Sequence, residues 1–355
     1  MRSYFIQLML FFTFSCFAQP DITNTNTQKN AYKVADSIAR TKTYNGDLKL
    51  LVSQLTENCT TETEKARALF IWITDNIAYD YKAFNKNKLP KRPNSKKSKN
   101  YNDIVAQWKI DYTDRVLRRG KAVCEGYAML FKRMCDYAGL QTDMVSGYVK
   151  TGPGDVGRMG ILDHAWNGII LNGNYYFVDV TWAAGTCSEN KKGKLKDFTK
   201  KLDDFYWLTP TEKFCMDHYP ADKTNPGVSN YPVERYKNNP YIKKNCLSSL
   251  TVLYPTSGVV EAHLGETITF TFEYDKDIHS IYLSTNTKRI KALSLNNNDT
   301  EKYLSEESLK TPETLFKRNG NSYQFDYVVN NANTRYIEVY INAEFAMRFN
   351  IKIAR

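Results

Sequence analysis

Gly120-Lys-Ala-Val-Cys124-Glu-Gly-Tyr-Ala128, then Asp163-His164-Ala-Trp-Asn167, then Tyr175-Tyr-Phe-Val-Asp179-Val-Thr-Trp182 are the parts of one stretch whose reading decides the fold. From Cys124 to Gly139, the residues Tyr127, Ala128, Phe131, Met134, Cys135 and Ala138 recur at helical spacing and form one apolar face. Cys124 lies on that face in the first turn, so its sulfur is expected to point into the protein. Helix N-terminal amides and the macrodipole favour a thiolate at such a position. Cys135 sits on the same face about 16 Å further along the axis, beyond disulfide reach of Cys124 across an unbroken helix. It reads as a small core residue.

Gln141–Lys150 reads as a strand, followed by a Gly/Pro-rich loop over 151–160. Two alternating runs then flank Asn172-Gly173, the strongest short hairpin signal. With a two-residue turn, residue i faces residue 345 − i. Trp166 is then expected opposite Asp179, and His164 opposite Thr181, all four on one sheet face. His164 and Asp179 become diagonal neighbours at roughly 7–8 Å, within side-chain hydrogen-bond reach. A slip of one residue would separate them. A buried cysteine or a histidine beside tryptophan is, taken singly, usually structural. No packing rule requires the conjunction of a helix-start cysteine with His and Asp on one hairpin face. That conjunction is the layout of a thiol nucleophile, its base and its orienter.

Upstream, Leu48, Leu51, Val52 and Leu55 mark an amphipathic helix. Thr61-Glu-Thr-Glu64 is a capping box leading into a stripe of Ala66, Leu69, Phe70, Ile73 and Ile77, with Trp72 on its flank. A further helix is expected over Tyr101–Arg119, carrying Ile104, Trp108, Val116 and Leu117 and ended by Gly120. Downstream of the site, residues 222–245 are rich in turn signals and read as a linker. From Cys246 the character changes to alternating runs: Leu250–Tyr254, Thr267–Tyr274, His279–Ser284, Tyr323–Val329, Arg335–Ile341 and Phe345–Ile353, with a short helix near Leu304–Leu309. These read as a small antiparallel β-sandwich of the immunoglobulin-like kind, with no catalytic motif.

The chain has 355 residues, 42% hydrophobic and 25% charged, a composition that buries a real core in about two domains. Arg2 followed by the apolar run Tyr4–Phe17 and Ala18-Gln19 reads as a signal peptide over 1–18, too short to span a bilayer. Export to the periplasm, the cell surface or the medium is expected. Lipidation at Cys16 is the weaker alternative, because Thr13 is not the branched aliphatic residue that such a site needs. Residues 19–30 read as a flexible lead-in. The formal net charge of +11 is concentrated in two runs, a basic insertion over 82–100 and Lys191–Lys201. Neither carries the interleaved aromatics of a nucleic-acid binder, so no nucleic-acid partner is expected. Solvated loops are the plain reading; docking to an anionic envelope surface is the sharper one. Six cysteines remain after residue 18. Without a CxxC pair, and with Cys215-x-x-His218 a lone half-motif, neither a metal nor another cofactor is expected.

At these residues the sequence resembles the transglutaminase-like superfamily of cysteine enzymes, in its kyphoscoliosis-peptidase and cytokinesis-protein-3 branch. The segments that carry the likeness are 64–80, Arg119–Ala128, Gly139-Leu140, Asp163–Asn167, Tyr176–Trp182, Phe205–Pro210 and His218-Tyr-Pro220. The likeness covers roughly residues 32–220. It implies a papain-like α+β core with the nucleophile helix on an antiparallel sheet, here over 31–221, followed by the sandwich over 246–355. It also implies Cys124 as nucleophile, His164 as general base and Asp179 as the residue orienting the imidazole. The activity implied is cleavage or transfer of protein or peptide amides through a thioacyl-enzyme, hydrolysis being favoured over transamidation. The reading from another class is a non-catalytic binding or scaffold protein that keeps the fold and uses its sandwich.

Overall fold

The computed structural model describes residues 32–87, 90–94, 100–287, 289–294 and 317–354. The expected signal peptide, the lead-in, most of the lysines of the basic insertion and the short helix near Leu304–Leu309 lie outside those residues. The first described elements are three helices, α1 (Lys33–Thr41), α2 (Leu48–Thr56) and α3 (Glu62–Asn76). Asp47 caps α2 through the Leu50 amide at 3.0 Å. At α3 the capping box forms as its sequence dictates: Thr61 Oγ1 accepts from the Glu64 amide, and Glu64 Oε2 accepts from the Thr61 amide. The expected one-sided stripe of α3 is too narrow. Every residue from Ala66 to Thr74 is buried, Trp72 included, because α1 and α2 cover one side of the helix and the helix Cys124–Tyr137 the other.

A central helix cannot hold a lone charge, and Arg67 shows how this one is satisfied. Its Nε and Nη2 donate to both oxygens of Asp36 at 2.7 and 2.9 Å, and Nη1 donates to Asp204 at 2.7 Å. The rings of Tyr32, Phe70 and Trp207 pack around the guanidinium. This bidentate clamp ties α1 and a distant segment to the core.

After α3 come β1 (Ala78–Tyr79), α4 (Tyr81–Asn85), α5 (Tyr101–Arg119), β2 (Lys121–Ala122) and α6 (Cys124–Tyr137). β1 and β2 form a two-residue parallel ladder that fixes where α6 begins. Gly120 adopts φ +57° and ends α5 as expected. Only the second half of α5 packs on α6, burying Val116 and Leu117. Ile104 is therefore 42% exposed rather than in the core, and Trp108 is only partly covered.

The chain continues through β3 (Gln141–Val149), β4 (Ile161–Leu171), β5 (Asn174–Val178), α7 (Val180–Ala184), β6 (Gly185–Glu189), β7 (Leu195–Lys200), α8 (Thr211–Phe214), β8 (His218–Pro220), α9 (Val233–Asn238) and β9 (Tyr241–Ile242). The central sheet runs β5-β4-β3-β8, antiparallel throughout. The apolar face of α6 lies on β3 and β4, and Asn167 Nδ2 reaches from β4 to Ala128 O in α6 at 3.0 Å. Gly147 faces His164 across the β3–β4 ladder, and a Cβ there would collide with Tyr219 O and the Trp166 ring.

The hairpin turn forms as read. Asn172 and Gly173 both take positive φ, and five pairs from Leu171↔Asn174 to Asn167↔Val178 keep the expected register. The ladder then stops. Asp179 is not paired with Trp166, nor is Thr181 with His164; Asp179 caps α7, and Thr181 is inside that helix. Two amides captured by the Asp179 carboxylate replace the strand pairing.

The segment 222–245, expected as a linker, is folded. Val228, Tyr231 and Tyr236 are buried in the first hydrophobic core, Tyr219 donates to Tyr231 O, and β9 joins the second unit. Its prolines and asparagines punctuate a packed segment. The second core belongs to a sandwich of β10 (Leu250–Tyr254), β11 (Val259–Ala262), β12 (Thr267–Tyr274), β13 (Ser280–Thr285), β14 (Arg289–Ser294), β15 (Lys317–Asn319), β16 (Ser322–Val328), β17 (Tyr336–Ile341) and β18 (Glu344–Ile353). One sheet runs β10-β12-β16-β15 and the other β11-β18-β17-β13-β14, with β9 added beside β18. Alternating Ile268, Phe270 and Phe272 of one sheet face Val339 and Phe349 of the other. The sandwich is not wholly antiparallel, since β11 and β18 pair in parallel.

Replacing Arg67 with Met should leave the half-buried Asp36 without its partner. The expected loss is about 3 kcal/mol of unfolding free energy by urea denaturation, against little change for an exposed arginine such as Arg118. A loss below about 1 kcal/mol would mean that the clamp is not structural.

Candidate active site

Cys124 is the first residue of α6, reached through Val123 in an extended conformation that supplies no side-chain cap. Its thiol points toward Asp163 O, 3.7 Å away, and it is half-buried on the wall of a cleft of about 460 Å³. The expectation that the sulfur points into the core is corrected here. The first turn of α6 emerges from the core at the cleft, and only later residues of the same face are sealed.

His164, on β4, is 8% exposed, and its Nε2 meets Asp179 Oδ2 at 2.6 Å. The other ring nitrogen is left for Cys124, which also acts on the ring as a hydrogen-bonding partner. Burial pulls the imidazole pKa down, but the Asp179 carboxylate outweighs it, with Cys124 adding to the effect, and pushes it up to about 10. Asp179 is fully buried. Burial would raise its pKa, yet the charge and hydrogen bond of His164, then those of His218, hold it well below the usual carboxylate range. Its Oδ1 accepts from the amides of Thr181 and Trp182 at 2.8 and 3.0 Å. The three residues singled out in the sequence therefore converge.

A fourth was missed. His218, fully buried on β8, places Nε2 3.2 Å from Asp179 Oδ2 and Nδ1 2.6 Å from Asp217 Oδ1. Tyr206 donates to the other oxygen of Asp217 at 3.3 Å. The sequence offered His218 as half of a metal motif and as part of a segment carrying the family likeness, with no site role, although it was one of four histidines and sat in the apolar run Phe214–Pro220. The rings of Trp182, Trp166 and Phe214 enclose His164 and His218, with centroids 4.4 to 5.9 Å from them.

One donor atom each of His164, Asp179 and His218 lies within 4.8 Å of the others, close enough to share a small cation. Those atoms are already hydrogen-bonded to one another, and a metal would have to break the His164–Asp179 contact. None of Cys59, Cys124, Cys135, Cys187, Cys215 and Cys246 is in a disulfide.

Residues 49–180 match the family model of the transglutaminase-like superfamily, a span that includes Cys124, His164 and Asp179. The chain carries a transglutaminase-like domain. It is similar to mouse kyphoscoliosis peptidase, 34% identical over 195 residues that cover 54% of this chain and 26% of the relative. The human kyphoscoliosis peptidase is 32% identical over 239 residues, covering 65% and 31%. Hillarin from Drosophila melanogaster is 30% identical over 182 residues, covering 49% and 20%. The matches thus span about a fifth to a third of these relatives' own length. A crystal structure of a TGase is similar at 20% identity with a TM-score of 0.27, covering 52% of this chain and 40% of that one. In this transglutaminase-like domain the four-stranded sheet and the Cys124 helix form the α+β core that the sequence resemblance implied.

The raised pKa of His164 stabilises the fold fully below the unfolded-state value of about 6.5, and the effect fades as pH rises toward about 10. The lowered pKa of Asp179 stabilises it fully above about 4, and that effect is lost as acid protonates the carboxylate. Asp179→Asn should therefore cost most stability between about pH 4.5 and 6.5 and less near pH 10. Urea denaturation at both ends measures it. An equal loss at both would mean that the charge pair contributes nothing beyond packing.

Proposed function

We propose that the protein is an exported thiol hydrolase that cleaves protein or peptide amides through Cys124, His164 and Asp179. The single observation that carries this reading is the line of contacts from a cleft-facing Cys124 to His164 and on to a buried Asp179. His164 takes the thiol proton, and the thiolate attacks the carbonyl carbon of a bound amide. The first amides of α6, which no side chain caps, would be the donors to the developing oxyanion. The tetrahedral adduct collapses, His164 protonates the departing amine, and a thioester remains on Cys124. Water, deprotonated by His164, attacks the thioester and releases a carboxylic acid and the free thiol. An amine in place of water would give transamidation.

Asp179 keeps the imidazole turned toward the sulfur, and His218 with Asp217 keeps Asp179 in place. Export rests on Arg2 and the apolar run Tyr4–Phe17, and the lysine-rich segments suit an anionic envelope surface. The sandwich is read as immunoglobulin-like on the order of its two sheets.

An electrophilic peptide probe should label wild-type protein at Cys124, as located by peptide mapping among the other free thiols. Cys124→Ala should remove that label and reduce amide turnover by at least about a thousandfold with the thermal melt unchanged. Labelling of Cys124 no faster than of Cys187, with no turnover, would leave a non-catalytic scaffold. Incorporation of a primary amine in place of hydrolysis would make the enzyme a transglutaminase.

A further inference from the structure

The far wall of the cleft comes from the segment that joins the two units. Strand β9 adds to the sandwich beside β18, pairing Ile242 with Met347 and Tyr241 with Arg348, and Lys243 donates its amide to Ala346 O at 2.8 Å. Tyr241, Ile242 and Lys244 line the same cleft as Cys124 and His164. The sandwich therefore fixes a piece of the catalytic cleft through strand addition.

Lys244 stands out within it. It is half-buried, and its Nζ lies 4.7 Å from the Trp182 ring centroid and 5.1 Å from that of Tyr206. One N–H of the ammonium donates to Trp182 O at 3.2 Å. Among the described residues no carboxylate lies within ion-pairing distance of it. Lys150, the other lysine of the cleft, differs: its Nζ is turned away and donates to Lys237 O and Asn239 O. Burial lowers the Lys244 pKa, while Asp179, Asp203 and Asp217 act from further off to raise it. A cation partly removed from water, on the wall of a cleft with one hydrogen bond and no paired carboxylate, is an incomplete pair. Phe84, Ile161 and Phe198 give the wall an apolar stretch, and Asp163, Glu189 and Asp217 are its acidic residues.

On this ground, and resting on the amidase reading, we propose that Lys244 is the specificity residue of the cleft and binds a carboxylate of the peptide substrate. The peptide's apolar side chains would lie along Phe84, Ile161 and Phe198. The carboxylate is either an acidic side chain near the scissile amide or the terminal carboxylate of the leaving segment.

The full chain is assayed with internally quenched octapeptides carrying Glu or Gln at each position in turn, each made as the C-terminal acid and as the amide. Wild-type kcat/KM should favour the carboxylate by about tenfold to a hundredfold. If the preference follows Glu, the side chain is bound; if it follows the acid end, the terminal carboxylate is. Lys244→Met keeps the stem on Trp182 and should bring the ratio close to one, while Lys244→Arg should restore it. A ratio that persists in Lys244→Met, or its absence in wild type, overturns the proposal. If wild type cleaves nothing, the amidase reading fails separately. The same peptides, dye-labelled, are then titrated against Cys124→Ala with and without Lys244→Met by fluorescence anisotropy. A binding preference for the carboxylate that disappears with Lys244→Met supports the role of Lys244, and no preference overturns it.

Discussion

A carboxylate with no exposure to water is costly by several kcal/mol unless its lone pairs are filled and its charge is met. Asp179 meets that constraint with four donors: the Thr181 and Trp182 amides on one oxygen, and His164 and His218 on the other. The two amides are available only because the chain leaves β5 and begins α7 at this residue. The end of the ladder, the start of the helix and the orientation of the imidazole are thus one local event. Moving Asp179 by one position would undo all three.

The surroundings make that event count. Trp182, Trp166 and Phe214 exclude water from the imidazoles, and a hydrogen-bonded charge pair is stronger in such a medium than in solvent. The shell has little slack. Gly147 lies beneath it without a side chain because Tyr219 and the Trp166 ring occupy the volume that a Cβ would need. Strand β8 can then lie close enough to β3 for His218 to reach Asp179. A glycine in a strand usually weakens it. Here the loss is offset by the close approach of the Trp166 ring and of the Tyr219–Pro220 backbone.

Much of this was legible in the sequence. Local signals set the capping box at Thr61, the stop at Gly120 and the Asn172-Gly173 turn, and each depends on residues within a few positions of each other. The register of the hairpin followed from the turn, and with it the meeting of His164 and Asp179. The side-chain route differed from the expected one: the diagonal strand pair gave way to a helix cap, because a carboxylate competes locally for amides that a strand ladder would otherwise use. His218 was hidden for a different reason. It arrives on β8 at the far edge of the sheet, and no periodicity within its own segment points to a partner 39 residues away. The inward aim of Cys124 was misjudged because a helical face tells which residues share a side, but not where along the axis the core ends.

The reading of 222–245 as a linker failed in the way that matters most for function. Proline and asparagine mark turns, and a packed turn and a loose one carry the same residues. What separates them is burial, and Tyr231, Tyr236 and Asn239 are buried against the first core while β9 is bonded to the second. A free tether would let the sandwich move independently of the site. Here strand addition, the Asn350 contact to Val156 O at 3.0 Å and the Tyr241 contact to Thr151 O at 3.2 Å hold the two units across the cleft. Tyr241, Ile242 and Lys244, which line the cleft beside Cys124, are therefore held in position by the sandwich. The cleft is then built by both units, and changes in the second core can alter it without touching Cys124, His164 or Asp179.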